Sequence, residues 1–443
     1  MTKYHHIGIV LIIAGISFGS SANTNSKSLP FCIVDTGQLH CFSDAGQLLK
    51  APRPGEPFFG QDAFYQGPIP AYVDNHDGTV TDLNTGLIWQ KTPDLANKQT
   101  YQEALQQARQ SKLAGCTDWR LPTIKELYSL IDFNGNSRAK PPVPYLNTRF
   151  FDFRFGDPTL EERLIDAQYW SQTEYVGLTM RGDDTVFGVN FADGRIKGYP
   201  RDTGPQGRQV THFVRLVRGN PEYGKNHFVD NNDGTVSDLA TGLMWAKNDS
   251  AKTMNWQQSL EYCENLTLAD HNDWRLPNAK ELQSIVDYTR APDARDSSRH
   301  GPAIDPVFKM TSDESWFWTS TTHLEASRIQ GGSAVYIAFG RAMGIMPGPG
   351  GPRRINVHGA GAQRSDPKSG DPKSPIWVNG LGPQGDEIRI YNYTRAVRNI
   401  APASVHIVEP NNVPLPPSPP LPPPDRQPRA TPDDFPGKQP RHR

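Results

Sequence analysis

The sequence predicts an α+β protein of two tandem domains, each with a short antiparallel sheet and two helices, followed by a disordered Pro-rich tail. Three observations predict this. A phrase of fifteen residues occurs twice, "DWRLPTIKELYSLID" from Asp118 and "DWRLPNAKELQSIVD" from Asp273, identical at ten positions. The echo extends to "YVDNHDGTVTDLNTGLIWQK" at Tyr72 and "FVDNNDGTVSDLATGLMWAK" at Phe228. Each copy also reads as hairpin signals, then helical periodicity, then alternating strands. Units this long are duplicated domains rather than solenoid repeats. They run over residues 71–220 and 226–400.

Residues 1–22 read as a signal peptide. Lys3 precedes an apolar run from Ile7 to Phe18, and small residues end at Ala22. That run is short for a membrane span of about 20 residues. The protein is therefore expected to be exported, to a periplasm, a cell surface or the medium, without stable membrane insertion. Residues 23–70 form a lead-in in which Cys32 and Cys41 flank "IVDTGQLH". Export favours disulfides, so a Cys32–Cys41 disulfide around a Thr36-Gly37 hairpin is expected. Cys116 and Cys263 stand at non-equivalent places in the two copies, and their pairing stays open.

Within each copy the elements follow in order. Asp77-Gly78 suits a tight hairpin, and Val80, Leu87 and Trp89 point inward from a three-stranded meander. Thr100-x-x-Glu103 is a capping box, matched by Asn255 and Gln258. Behind it Tyr101, Ala104, Leu105 and Ala108 make an apolar helix face, as do Trp256, Leu260 and Cys263. The repeated phrase starts the second helix, with Pro122 in its first turn. Ile124, Leu127 and Ile131 recur at helical spacing, as do Leu282, Ile285 and Val286, while Lys125 and Glu126 are expected at the rim or in solvent. "TVFGVNFADGRIKGY" alternates as strands around an Asp-Gly turn. The closing "FVRLVRG" and "YTRAVRN" are 180 residues apart, against 155 for the repeated phrase, so the second copy carries an insertion.

The charge balance of 46 basic and 47 acidic residues gives no global field, and nucleic acid is not an expected partner. Arg120 with Glu126, and Arg275 with Glu281, read as a core device: catalytic sites seldom survive whole in both copies of a duplication. No C-x-x-C or Cys/His cluster suggests zinc, no G-x-S-x-G suggests a hydrolase, and His212, His323 and His358 are scattered. Neither a catalytic residue nor a metal ligand is assigned. An EF-hand loop needs Gly at position 6 and Glu at 12; in "DNNDG" the Gly falls at 5. The hairpin accounts for these turns, and calcium at Asp74, Asp77 and Asp82 is the one ion considered. The insertion, Gly344 to Pro375, gathers Arg353, Arg354, Arg364, Lys368 and Lys373 against Asp366 and Asp371. Arg forks match sulfate or carboxylate. Arg353, Arg354, His358, Arg364 and Lys368 are the candidate ligand site, on what reads as a solvated Gly/Pro-rich loop. The tail over residues 401–443 cannot bury a core and is expected to be extended and disordered.

The string D-G-T-V-x-D-x-x-T-G-L-x-W, the phrase D-W-R-L-P-x-x-K-E-L, an aromatic-Trp-Ser/Thr motif and a closing V-R-x-V-R together resemble the Lcl C-terminal domain family. The resemblance covers both copies, roughly Tyr72 to Asn399. It implies a C-type lectin-like fold and an exported or surface domain. The bacterial collagen-like adhesin that names the family implies sulfated-glycan binding. The superfamily also includes formylglycine-generating enzymes, whose chemistry uses a reactive Cys pair; neither copy has such a pair in its later half. Many family members carry V-R-C-V-R, but Leu216 and Ala396 stand there, so the family's disulfide pattern does not carry over. The expectation is an exported, non-catalytic binding or adhesion protein. Its preferred ligand is an extracellular glycan; the alternative is a structural or protein-binding surface module.

Overall fold

The computed structural model describes residues 29–400, apart from 181, 205–206, 326–328, 349, 376 and 378–384. The expected signal peptide and Pro-rich tail lie outside these residues. The lead-in carries one small hairpin, β1 (Cys41–Phe42) and β2 (Leu48–Leu49). The first copy then runs β3 (Tyr72–Asp74), β4 (Thr79–Asp82), β5 (Leu87–Gln90), α1 (Tyr101–Gln110), α2 (Ile124–Ser129), β6 (Gln168–Glu174), β7 (Thr185–Asn190), β8 (Arg195–Pro200) and β9 (Val217–Gly219). The second runs β10 (Phe228–Asp230), β11 (Thr235–Asp238), β12 (Leu243–Ala246), α3 (Trp256–Glu264), α4 (Ala279–Ser284), β13 (Trp316–His323), β14 (Ser333–Ala338), β15 (Met343–Met346), β16 (Arg353–Asn356), β17 (Gln363–Pro367) and β18 (Val397–Asn399). The protein is thus mostly β, with two short helices per copy among the described residues.

The meanders turn where Asp-Gly predicts, with Gly78 at φ +88° and Gly234 at φ +92°. The closing V-R-x-V-R strand adds a fourth strand to the sheet that opens each copy. Trp89 pairs with Val217 in one, and Trp245 with Val397 in the other. Both predicted capping boxes form, at Thr100 and Asn255. The second helices have capping boxes too, at Thr123 with Glu126 and Asn278 with Glu281. Pro122 therefore precedes the N-cap instead of sitting in the first turn.

The later strands join the two copies. They form one six-stranded antiparallel sheet in the order β13-β14-β17-β8-β7-β6. At its centre β17 meets β8, with Gln363 opposite Ile196. The insertion is therefore not a solvated loop. β17 pairs with β14 as β8 pairs with β7. What is added is the hairpin β15–β16, in place of the tight turn between β7 and β8. Below the sheet, one core runs through both copies. It unites Trp89, Leu127, Tyr169 and Phe187 with Trp245, Leu282, Phe317 and Ile337. Separate clusters lie under α1, around Trp119 and Trp170, and under α3, around Trp274 and Trp318.

The lead-in does not close on itself. Thr36 O accepts from Phe133 N (2.8 Å) in the first copy, while Gln38 exchanges two hydrogen bonds with the backbone of Thr322 in the second. This stretched path separates the expected disulfide partners. Cys41 packs against Ala63 and Phe64, whereas the half-buried Cys32 lies near Asp82. All four cysteines are free thiols, so the Cys32–Cys41 disulfide is not formed. Cys116 and Cys263 lie in the clusters of different copies. No helix among the described residues is long and apolar enough to cross a membrane.

His212 belongs to the first copy's core, its ring 4.2 Å from that of Trp170 and 4.5 Å from that of Tyr199. Neither ring nitrogen has a hydrogen-bond partner. Burial pulls its pKa down to about 3, below the ~6.5 of an unfolded histidine. A depressed histidine contributes stability that is full above the unfolded value and is lost as pH falls toward the folded one. His212→Phe keeps the ring and removes the proton. In thermal melts the variant should gain on the wild type steadily between about pH 6.5 and about pH 4. A difference independent of pH would contradict the assignment.

Candidate functional site

The repeated phrase uses its polar side chains on itself. Arg120 grips Glu126 with both guanidinium nitrogens (2.6 and 2.5 Å), and Arg275 grips Glu281 the same way (2.6 and 2.6 Å). Each Glu also accepts from its N-cap backbone, Thr123 N at 2.8 Å and Asn278 N at 2.9 Å. A bidentate pair thus locks the loop onto the first helical turn. Glu126 is 2 % exposed, not at the rim. The flanking Asp118 and Asp273 pair with Arg218 and Arg398 of the closing strands. The preceding Arg215 and Arg395 are buried and donate to backbone carbonyls: Gln90, Lys91 and Asp152 in one copy, Ala246, Lys247 and Lys309 in the other.

The lysine of the phrase joins the copies. Lys125 Nζ donates to Ser284 O at the end of α4 (2.6 Å), and Lys280 Nζ donates to Ser129 O at the end of α2 (2.9 Å). The exchange is reciprocal. Terminal helix carbonyls lack partners within their own helix, and a cation suits that end of the helix dipole. Lys125 also binds Gly224 O and Asn226 Oδ1 of the linker, and Lys280 binds Asp35 O of the lead-in. Burial lowers both lysines to about 8.

Beside this junction lies an open cleft of about 910 Å³. The first copy supplies Gln172, Thr173 and Glu174 from β6; the second supplies Asp287, Tyr288 and Thr289. The linker closes the floor at Tyr223 and Asn226. Arg120, Lys125, Lys225 and Arg299 face Glu126, Glu174, Asp287 and Asp305, so the lining is charge-balanced. Sequence reasoning missed this site. The signal was in the aligned phrases "YWSQTEY" and "FWTSTTH": the first copy carries Gln-Thr-Glu where the second carries Ser-Thr-Thr.

The five basic-stretch candidates separate. Arg353 and Arg354 are exposed on β16, and Arg354 pairs with Glu387 at 2.6 Å. Arg364, Lys368 and His358 are 1, 1 and 6 % exposed, which removes them from any ligand in solvent. Arg364 Nε donates to Asp386 (2.7 Å), which also meets His358 at 3.1 Å. Lys368 donates to Phe42 O, Ser43 O and the Thr322 hydroxyl. The physical reason is strand pairing: Arg364 lies on β17 between β14 and β8, where it must be buried and therefore must be paired. Burial alone would raise Asp386, but Arg364 and His358 outweigh it and hold the carboxyl at about 2. Next to this pair, Asp193 holds Lys197 (2.6 Å) and Arg195 (3.2 Å), and Arg195 also meets Glu325. The carboxylates considered for calcium have partners close by: Asp77 caps Thr79, Asp74 binds Lys91 and the backbone of His76, and Asp82 accepts from the backbone of Asn84 and Thr85. Among the described residues no group of three or more His, Cys, Asp or Glu is placed to hold a metal.

Arg364→Ala would leave Asp386 buried and short of its main partner, at a cost of about 3–5 kcal/mol in urea unfolding. Arg353→Ala, on the exposed hairpin, should cost less than about 0.5 kcal/mol. Equal effects would contradict the placement of β17.

The model of the Lcl C-terminal domain family matches residues 78–218 and again residues 234–346, more than half of the chain. No curated protein and no solved structure matches. The second match ends with β15, ahead of the strands β17 and β18 that complete the copy. On these two matches the chain belongs to the Lcl C-terminal domain family and carries that domain in two tandem copies.

Proposed function

We propose that the protein is an exported, non-catalytic binding or adhesion protein of C-type lectin-like fold, and that the cleft of the first copy is its ligand site. One observation carries this reading: the motif side chains with chemical potential are spent on each other, while both copies contribute to an open, polar, ring-bearing cleft. Tyr223, Phe228 and Tyr288 offer ring faces, and Gln172, Glu174 and Thr289 offer hydrogen-bonding groups. Concave sites with a few convergent polar groups are the usual place for a ligand.

The lining's charge balance favours a neutral chain over a polyanion. Three of the five candidate residues for a sulfated glycan, Arg364, Lys368 and His358, are buried among carboxylate, hydroxyl and backbone partners. A glycan in this cleft would therefore be a neutral one. A protein segment is the reading that the lead-in lying against the second copy favours.

Gln172 is exposed, and its side chain projects from β6 into the cleft wall. Gln172→Trp should block the cleft without disturbing the fold. On a panel of neutral glycans and extended peptides, wild-type binding should be lost in Gln172→Trp and kept in Arg353→Ala/Arg354→Ala. Heparin retention that disappears in the double arginine variant and persists in Gln172→Trp would overturn the proposal.

A further inference from the structure

The duplication builds two equivalent sites, and the described residues fill one of them. In the second copy, Thr321 Oγ1 accepts from Ala279 N (2.9 Å) and donates to Asp62 of the lead-in. Thr322 exchanges two hydrogen bonds with the Gln38 carboxamide, at 2.7 and 2.8 Å. Tyr65 lies 5.4 Å from the Arg275 guanidinium. On the opposite wall, Phe133 N donates to Thr36 O (2.8 Å) and Asn134 Nδ2 to Gly37 O (2.5 Å). The lead-in thus covers the edge of β13, where Ser320, Thr321 and Thr322 are at most 1 % exposed.

The first copy repeats the receiving half of these contacts, except that of the Asn134 carboxamide, whose counterpart Thr289 donates its hydroxyl to Asp287. Thr173 Oγ1 accepts from Ile124 N (3.0 Å), as Thr321 does from Ala279 N. Glu174 stands opposite Val186 in the register that Thr322 keeps with Ala334. Arg120 corresponds to Arg275, and Tyr288 and Thr289 to Phe133 and Asn134. The floor is already closed, because Lys125 binds Gly224 O where Lys280 binds Asp35 O. There the likeness stops. The linker turns into β10, and among the described residues no counterpart of Gln38 or Asp62 reaches Glu174 or Thr173; beyond them Val176 O already accepts from Arg295 N (3.0 Å). Gln172 and Glu174 are exposed, and the Arg120 side chain is 31 % exposed against 9 % for Arg275.

We propose that the open cleft takes an extended polypeptide segment of a partner protein. That segment presents a side-chain carboxamide to the backbone of Glu174, as Gln38 does to Thr322. The occupant's chemistry is read from the second copy, where Gln38 of the lead-in supplies that carboxamide to the equivalent Thr322. Up to Gln172, whose N–H is taken by Pro122 O (2.8 Å), the outer edge of β6 is hydrogen-bonded within the first copy, so the backbone of Glu174 is the part of the edge such a segment meets. The inference rests on the cleft being the ligand site.

The test uses the full-length protein and a labelled peptide of residues 33–40, "IVDTGQLH", in fluorescence anisotropy. The expected result is saturable binding of one peptide per chain. It should weaken about tenfold when the peptide carries Gln38→Leu, the loss of its paired amide bonds, and vanish when the protein carries Thr289→Trp, an exposed change on the cleft's far wall. Peptide binding untouched by Thr289→Trp would overturn the proposal. A neutral oligosaccharide that binds the wild type, fails with Thr289→Trp and meets no competition from the peptide would overturn the polypeptide class but leave the cleft as ligand site. Failure of both probes to bind would overturn both readings.

Discussion

Each copy's lysine caps the other copy's helix, and the remaining architecture follows from that exchange. Lys125 on Ser284 O and Lys280 on Ser129 O bring the ends of α2 and α4 together. With the helices held there, the core beneath them becomes common to both copies, and the β8 and β17 edges meet to close one sheet. A buried ammonium without acceptors would cost several kcal/mol. Its acceptors are carbonyls that a lone copy could not supply. The phrase is written twice because each copy needs its own Arg–Glu lock, and because each supplies the lysine that its neighbour's helix lacks.

The same logic explains the polar interior. A sheet that crosses from one copy to the other buries whatever its central strands carry. Here they carry Arg195, Lys197 and Arg364, and each has a carboxylate within reach: Asp193, Glu325 or Asp386. Such pairs seldom add net stability over an apolar contact, but losing one partner is costly. Burial lowers Lys197 to about 8 despite Asp193 beside it, so the cluster tolerates little further loss of charge partners. Symmetry is broken only at the margins. The hairpin β15–β16 elaborates the second copy, and the lead-in seals the end of its edge strand, while none of the described residues does so at Glu174 of the first copy.

Local features were legible in the sequence because they depend on near neighbours. The Asp-Gly turns, the capping boxes at Thr100 and Asn255, and the apolar faces of α1 and α3 all formed where the pattern placed them. Arg120 and Glu126 were readable as a structural device because they recur together, but the burial of Glu126 was not, since it falls off the apolar stripe of its helix. Long-range pairing was not readable. "GAQRSDPK" looks like a loop on composition alone, and only its place between β14 and β8 makes Gln363–Pro367 a strand. Lys125 falls off the apolar stripe of its helix, and nothing nearby in sequence reveals that its acceptor is a carbonyl 159 residues away. The lead-in's path has the same cause. The cysteine spacing suggested a closed loop, but Thr36 and Gln38 find partners on two different copies.

The claim that two copies make one folding unit is tested most directly by urea unfolding of the full chain, with one spectroscopic probe in each copy. The account predicts a single midpoint at both probes. It further predicts that Lys280→Met, although it alters only the second copy's sequence, lowers both midpoints together. Two separate midpoints, or a shift confined to the probe in the second copy, would contradict it.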